Sequence, residues 1–281
     1  MDPSARPAFL SVIQWPDKMT EDEAVEALVA SAAIEPYQAA MAVRRGVPQV
    51  VSRIDALVIP DVMQELRRRK VMAFCPRADE IEAVQSPRLL KRLELRGSSL
   101  HCEYWRHEDQ TLAIADIKVI VFALSRRSLH SSTEPDPTGS TVSPFLRVHP
   151  HQYQYDLAST IFSGLSRSPA TVHVSHIIDM YDASGNRYRS NGDKFNYDIL
   201  GANRGHSDMK NSRRLAKLLH RLAPHAIYDD QGFNNFKCPA HILQRVMSRT
   251  SRNERVRMNT LGALDFYSAW TFLLYKKLMG F

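Results

Sequence analysis

Three cysteines in 281 residues, Cys75, Cys102 and Cys238, are too few, too far apart and odd in number for a disulfide framework. They read as buried thiols of a reducing compartment. Long apolar runs are missing too. The most apolar segment, Leu261 to Tyr275, falls short of the roughly 20 residues that span a bilayer and carries Asp265, so it reads as a buried amphipathic helix and no transmembrane segment is expected. Met1 to Phe9 contains no basic stretch leading into an apolar one, so no signal peptide is expected and the cytoplasm is the predicted location.

Catalytic signatures are equally scarce. Gly201-Ala202-Asn203-Arg204-Gly205 lacks the Gly-Lys-Ser/Thr ending that reaches phosphates and their metal, and reads as a strand-to-helix loop. Ser163, Ser166 and Ser168 lack the flanking glycines that a strained nucleophile turn requires. The 11 histidines repeat no four-ligand spacing. His149 and His151 merely flank Pro150, and His173 and His176, three apart on a strand, point to opposite faces. Cys238 and His241 could share one face of a helix start, yet two ligands do not make a zinc site. His206, Ser207 and Asp208 are contiguous, and contiguous residues rarely converge on one substrate atom; Ser207 or Asp208 reads as a helix cap. Carboxylates look scattered. The sequence therefore assigns no catalytic residue, cofactor or metal ligand.

Apolar residues make up 44% and charged residues 24%, enough to bury a sizeable core, and 281 residues exceed the usual single domain. The net charge of +7 is uneven: residues 1–80 hold 10 basic and 12 acidic side chains, 81–235 hold 19 and 16, and 236–281 hold 8 and 2. A basic tail could meet phosphates or an acidic protein surface, or could simply be a solvated face. Within it, Arg245, Arg249, Arg252, Arg255 and Arg257 are the candidate binding residues, without interleaved aromatics to stack bases. Arg67-Arg68-Arg69-Lys70 sits where a helix should end, and cations there oppose the macrodipole. Arg213-Arg214 is a further basic pair.

Hydrophobic spacing outlines an α+β chain without internal repeats. Phe9–Trp15 reads as a strand, Thr20 and Glu23 as a capping box with Val25, Leu28, Val29 and Ala32 on one helix face, and Pro36 to Gly46 as a second helix. Pro48–Ile54 and Val71–Cys75 read as strands around a helix at Pro60–Lys70, with Val62 and Leu66 inward. The order is β-α-α-β-α-β. Through Glu35–Val51 and Val62–Phe74 it resembles the C-terminal domain of the ribosomal stalk protein and the related fold of the adaptor that feeds the Clp protease. That adaptor family has a histidine before the glycine, where this chain has Arg44 and Arg45, so the resemblance implies a fold and not degron recognition. The chain as a whole looks bacterial.

Period-two spacing dominates 87–128, through Leu93, Leu95, Leu100, Cys102, Tyr104, Leu112, Ile114, Ile120, Phe122 and Leu124, and predicts a half-buried antiparallel sheet. Ser128–Pro144 is rich in Ser, Thr, Pro and Gly and is expected to be a mobile insertion. Val172–Asp182 alternates again, Ser184-Gly185-Asn186 is turn chemistry, and Asn191-Gly192 predicts a hairpin before Phe195, Tyr197 and Ile199. Leu215, Leu218, Leu219 and Leu222 then share a helix face halted by Pro224. These strands and their closing helix resemble a pleckstrin-homology-like barrel. A helix from Pro239 to Met247 and a last one joining Phe266, Trp270, Leu273 and Leu274 complete the tail, the latter expected to dock on a domain or a partner.

The expected organisation is a stalk-like domain at 1–80, a β-rich domain at 87–235 with an insertion around 128–144, and a basic helical tail at 236–281. The function read from it is a non-enzymatic scaffold or adaptor that binds another protein. Nucleic-acid binding through the tail is the alternative, and an enzyme with an unrecognised active site is the third.

Overall fold

The computed structural model describes residues 7–129, 171–236, 238 and 260–281. The predicted insertion at 128–144, apart from its first two residues, and the predicted helix Pro239–Met247 lie outside the described residues. The chain forms two compact units, Met1–Arg126 with Val174–Phe281, and Arg127–His173. Of the second unit only the strand ends 127–129 and 171–173 are described, as extended chain.

The fold class is α+β, as expected. Strand β1 (Pro7–Gln14), helices α1 (Glu21–Ala32) and α2 (Pro36–Arg45), strand β2 (Gln49–Asp55), helix α3 (Ile59–Arg68) and strand β3 (Met72–Phe74) come in the predicted order. The Thr20 capping box closes, with the Glu23 N–H donating to Thr20 Oγ1 at 3.2 Å and the Thr20 N–H to Glu23 Oε2 at 2.7 Å. Such a cap contributes about 1 kcal/mol to a helix end. Gly46 stops α2 at φ 81, a backbone region that residues with a Cβ rarely adopt. The strands form a sheet of order β2-β1-β3, both pairings antiparallel. Leu10 and Val12 of β1 pack one face of it against Leu28, Ala39, Val62 and Leu66.

Helix α4 (Ala78–Gln85), short and amphipathic, is an element the hydrophobic spacing does not announce. Its signal is the acidic first turn, where Glu80 accepts the Arg77 N–H at 2.6 Å. The larger sheet then builds from β4 (Arg88–Arg96), β5 (Ser99–Tyr104), β6 (Gln110–Ala113), β7 (Ile117–Leu129), β8 (Thr171–Asp182), β9 (Arg187–Asn191) and β10 (Ile227–Asp229). Helix α5 (Asp208–Leu222) precedes β10, a single turn α6 (Gly232–Asn235) comes after it, and α7 (Thr260–Met279) ends the chain.

The strand order is β10-β7-β8-β9-β4-β5-β6. Two pairings, β4 with β9 and β10 with β7, are parallel, so the sheet is mixed and not purely antiparallel. It is also open among the described residues, with β6 and β10 as its edges, so the expected barrel does not close. The Asn191-Gly192 turn is a second departure. Gly192 donates to the His176 carbonyl at 2.9 Å, and the chain then dives inward instead of returning as a strand. Phe195 and Tyr197 are worth more as core side chains than as ladder members: both are buried beneath α5, Tyr197 hydroxyl to Ser212 hydroxyl at 2.6 Å, and residues 198–203 coil as a 3-10 turn.

Alternation decides what lies above and below this sheet. Ile120, Ile178, Met180, Tyr188, Leu90, Leu93, Leu100 and Cys102 face α5, which returns Leu215, Ala216 and Leu219. Val119, Val121, Ile177 and Tyr181 face the other way, onto α7. Beyond β9 that second face becomes a solvated polar ladder, in which Glu94 pairs across strands with His101, and Arg92 lies 3.4 Å from Glu103. Half the face is thus a buried interface and half is surface.

The β8–β9 turn tests this packing. Gly185 has φ 90, and a Cβ there would stand 3.2 Å from Val84 of α4 and 3.3 Å from Phe272 of α7. Gly185→Ala is expected to lower stability by about 1–3 kcal/mol in urea unfolding, combining backbone strain with displacement of two helices.

Candidate functional site

Helix α7 is apolar around most of its circumference because it is covered on several sides. Phe266 meets Phe9 of β1 edge-on at 5.0 Å, Trp270 lies 6.1 Å from Phe74 of β3, and the Trp270 indole N–H donates to Ser11 Oγ at 2.9 Å. On the side toward the large sheet, Phe272 stacks on Tyr181 at 4.7 Å. The Tyr267 hydroxyl donates to Asp229 of β10, whose other oxygen accepts the Gly232 N–H at 2.6 Å. The expected docking of this helix is therefore met within the chain itself.

Between α7 and strands β8 and β9 lies a cluster of four charges. Asp179 of β8 is fully buried and accepts from Arg187 Nη2 at 2.6 Å, Arg189 Nε at 2.7 Å and Arg189 Nη2 at 2.8 Å. Asp265 of α7 takes Arg187 at 3.0 Å and Arg189 at 2.8 Å. Ser268, one helical turn further, donates to Asp179 Oδ2 at 2.8 Å and accepts from the Tyr181 hydroxyl at 3.0 Å. Burial alone would raise the Asp179 carboxyl, but Arg187 and Arg189 outweigh it and hold the group well below the usual carboxylate range. Burial would likewise lower Arg187, and Asp179 reverses that. The cluster is electrically neutral, and each Asp179 oxygen is used by partners.

Carboxylates that look scattered in the sequence, with no paired arrangement, are brought together here; Asp179 and Asp265 correct that expectation. They stand 86 positions apart in the chain, so no local pattern joins them. A usable signal exists in Arg187-Tyr188-Arg189, where period two puts both guanidiniums on the face opposite a core tyrosine.

The residues singled out from sequence fall elsewhere. Arg245, Arg249, Arg252, Arg255 and Arg257 lie outside the described residues, as does His241. His206 and Asp208 are exposed, and Ser207 starts α5 without capping it through its side chain. The correction there is Asn211, which accepts the Gly205 N–H at 2.8 Å and donates to the Gly205 carbonyl at 2.9 Å, tying the loop to the helix. His176 is buried and stacked on Phe122 at 5.3 Å. Cys75 and Cys102 are buried free thiols, pushed by burial up to about 12 and about 11, and Cys238 is half-buried. Among the described residues no cluster of His, Cys, Asp or Glu could hold a metal ion, and no helix is long and apolar enough to cross a membrane. Arg69 pairs with Glu65 at 2.9 Å and Glu26 at 3.2 Å, so part of the Arg67–Lys70 run clamps α3 to α1.

One exposed feature stands out on the large sheet. The Trp105 N–H donates to the Leu89 carbonyl at 3.1 Å, making the two cross-strand neighbours just beyond the buried pair Leu90 and Tyr104. Alternation turns both outward, where Trp105 is 53% and Leu89 42% exposed. Leu89 is also in register with Arg189 of β9, which places the pair beside the charge cluster.

No protein-family model, curated protein or solved structure matches this chain.

Removing one member of the cluster strands the others in a dry interface, which costs far more than the intact cluster contributes. Asp179→Asn is expected to lose about 3–5 kcal/mol of stability at neutral pH in urea titrations. Because folding depresses this carboxyl, its contribution is present above the unfolded value of about 3.9 and fades as pH falls further. The gap between parent and variant should stay level from pH 7 to 5 and narrow below about pH 4, as Asp179 of the unfolded parent takes up a proton that the folded state still refuses.

Proposed function

We propose that the chain is a cytoplasmic, non-enzymatic adaptor that holds another protein against the outer face of its large sheet. The observation that carries this reading is the Trp105–Leu89 pair, a large aromatic and an aliphatic side chain side by side on a sheet fixed from behind by the core. Tryptophan is enriched among the residues that dominate protein interfaces, and a rigid backing spares the ordering cost that flexible surfaces incur on binding. Arg92, Glu94, His101 and Glu103 on neighbouring outward positions would supply the polar rim.

Two further features support an assembly role. The charged groups of the interior are used to join strands to a helix, which makes one firm body of elements distant in sequence. The N-terminal elements run β-α-α-β-α-β, the order from which the resemblance to the stalk-protein domain and the Clp adaptor fold is drawn, and that resemblance favours a role in binding another protein.

The test is capture of a stoichiometric partner from native lysate by the full chain and by the double variant Trp105→Ala, Leu89→Ser. Both side chains are outside the core, so the variant should melt within a few degrees of the parent. Its affinity for the captured partner should fall at least about 30-fold, as expected for a hot spot worth about 2 kcal/mol or more. Equal capture by both proteins, or no stoichiometric partner at all, would overturn the reading.

A further inference from the structure

Helix α5 carries its charges in a pattern that its packing does not require. At about 100° per residue, Lys210, Arg213, Arg214, Lys217 and Arg221 fall within an arc of about 100°, and His220 extends it at one side. All six are exposed, while Asn211, Ser212, Leu215, Ala216 and Leu219 on the opposite arc are buried against the sheet. From Lys210 to Arg221 the stripe runs about 16 Å along the helix axis. The only acid on the helix is Asp208 in its first turn.

Cations on a surface helix are ordinarily answered by carboxylates three or four positions away. The chain does this elsewhere, through Glu65 with Arg68 and Arg69 on α3. On α5 it does not: among the described residues Lys210, Arg213, Lys217 and Arg221 are within ion-pair reach of no carboxylate, and Arg214 donates only to the Asn203 carbonyl. Arg213 also stands close enough to the buried His176 to help hold that imidazole neutral, after the burial that acts first.

We infer that this face of α5 is a docking site for the phosphodiester backbone of a nucleic-acid duplex, a surface distinct from the Trp105–Leu89 pair. The chemistry discriminates among polyanions. A protein partner is anchored by a buried aromatic or aliphatic group at the centre of its interface, and the stripe has none; Met209 is exposed at one end only. A membrane-surface helix needs an apolar face to insert, and here that face is committed to the sheet. Single strands are held by aromatic platforms, which the stripe lacks. The remaining match is a regular line of guanidinium and ammonium groups against a regular line of phosphates. The helix, about 10–12 Å across with its side chains, is also of a size with a major groove about 12 Å wide.

The test uses the full chain, a fluorescein-labelled duplex of about 25 base pairs and anisotropy titrations at about 50, 100 and 200 mM salt. Five phosphate contacts predict that log K falls with log salt at a slope of about −4.5, so affinity drops roughly a few hundred-fold across that range. The quadruple variant Lys210→Ala, Arg213→Ala, Lys217→Ala, Arg221→Ala should bind at least about ten-fold more weakly at the lowest salt and show a slope shallower by about 3.6. A second variant, with Arg249, Arg252, Arg255 and Arg257 changed to alanine, separates the tail from the helix. If it loses duplex binding while the α5 variant keeps it, the proposal fails. It fails equally if the parent does not bind duplex, or if polyglutamate of matched charge or phosphatidylserine vesicles displace the duplex at equivalent charge concentration. All four α5 side chains are exposed, so an unchanged melting temperature is expected to accompany the loss.

Discussion

Taking three charges out of water, and a fourth most of the way, is the constraint around which this molecule is arranged. Each buried ion costs several kcal/mol of lost hydration, and that cost is recovered only where opposite charges and hydrogen bonds meet it with close geometry. Asp179 sits between two guanidiniums contributed by the neighbouring strand, which leaves these three groups with one net positive charge. Asp265 supplies the missing negative charge, and it comes from α7. The last helix is therefore required by the sheet, and neither can be dry and neutral alone.

That requirement explains why so apolar a helix need not seek a partner outside the chain. The side chains at 265, 268 and 272 lie on the arc toward the sheet, where they meet Arg187, Asp179 and Tyr181 in turn. The residues at 266 and 270 lie on a second arc, where Phe9, Ser11 and Phe74 of the N-terminal strands receive them. One helix thus closes two sheets that were built from separate stretches of sequence. It also divides the outer face of the larger sheet, since strands β7, β8 and β9 are covered and β4, β5 and β6 remain in water. The exposed Trp105 and Leu89 stand at the boundary between these halves, backed by β4 and β5.

How much of this is legible in the sequence depends on how local each determinant is. The Thr20 capping box, the proline that opens α2 and the i, i+3, i+4 leucines of α5 act within one or two helical turns, and each is found where the spacing puts it. Alternation locates β5 and β8 for the same reason. The Asn191-Gly192 turn misleads because turn chemistry fixes a reversal but not the path of the chain beyond it, and the core beneath α5 claims Phe195 and Tyr197. The mixed, open form of the sheet depends on which strands meet, as β4 meets β9 across 88 to 191, and no short window carries that information. The same holds for the charge cluster. Asp265 inside an apolar helix looks like a blemish until Arg187 and Arg189 are placed against it.

The arginines show how identical side chains acquire opposite roles. Arg187 and Arg189 occupy successive same-face positions of a covered strand, and two carboxylates converge to neutralise them. Arg213, Arg214 and Arg221 occupy the outer arc of a helix whose inner arc is already committed, and among the described residues no carboxylate is within ion-pair reach of them. Burial compels neutralisation because an unpaired ion in a dry interface is too costly to persist, whereas exposure leaves charge uncompensated at little cost. A buried guanidinium consequently reports on folding. An exposed row of them on a single arc reports on what the surface is free to attract, because water screens the repulsion and nothing in the fold would be lost by scattering or pairing those charges. That distinction is why the interior cluster is read as a lock and the α5 stripe as an interface.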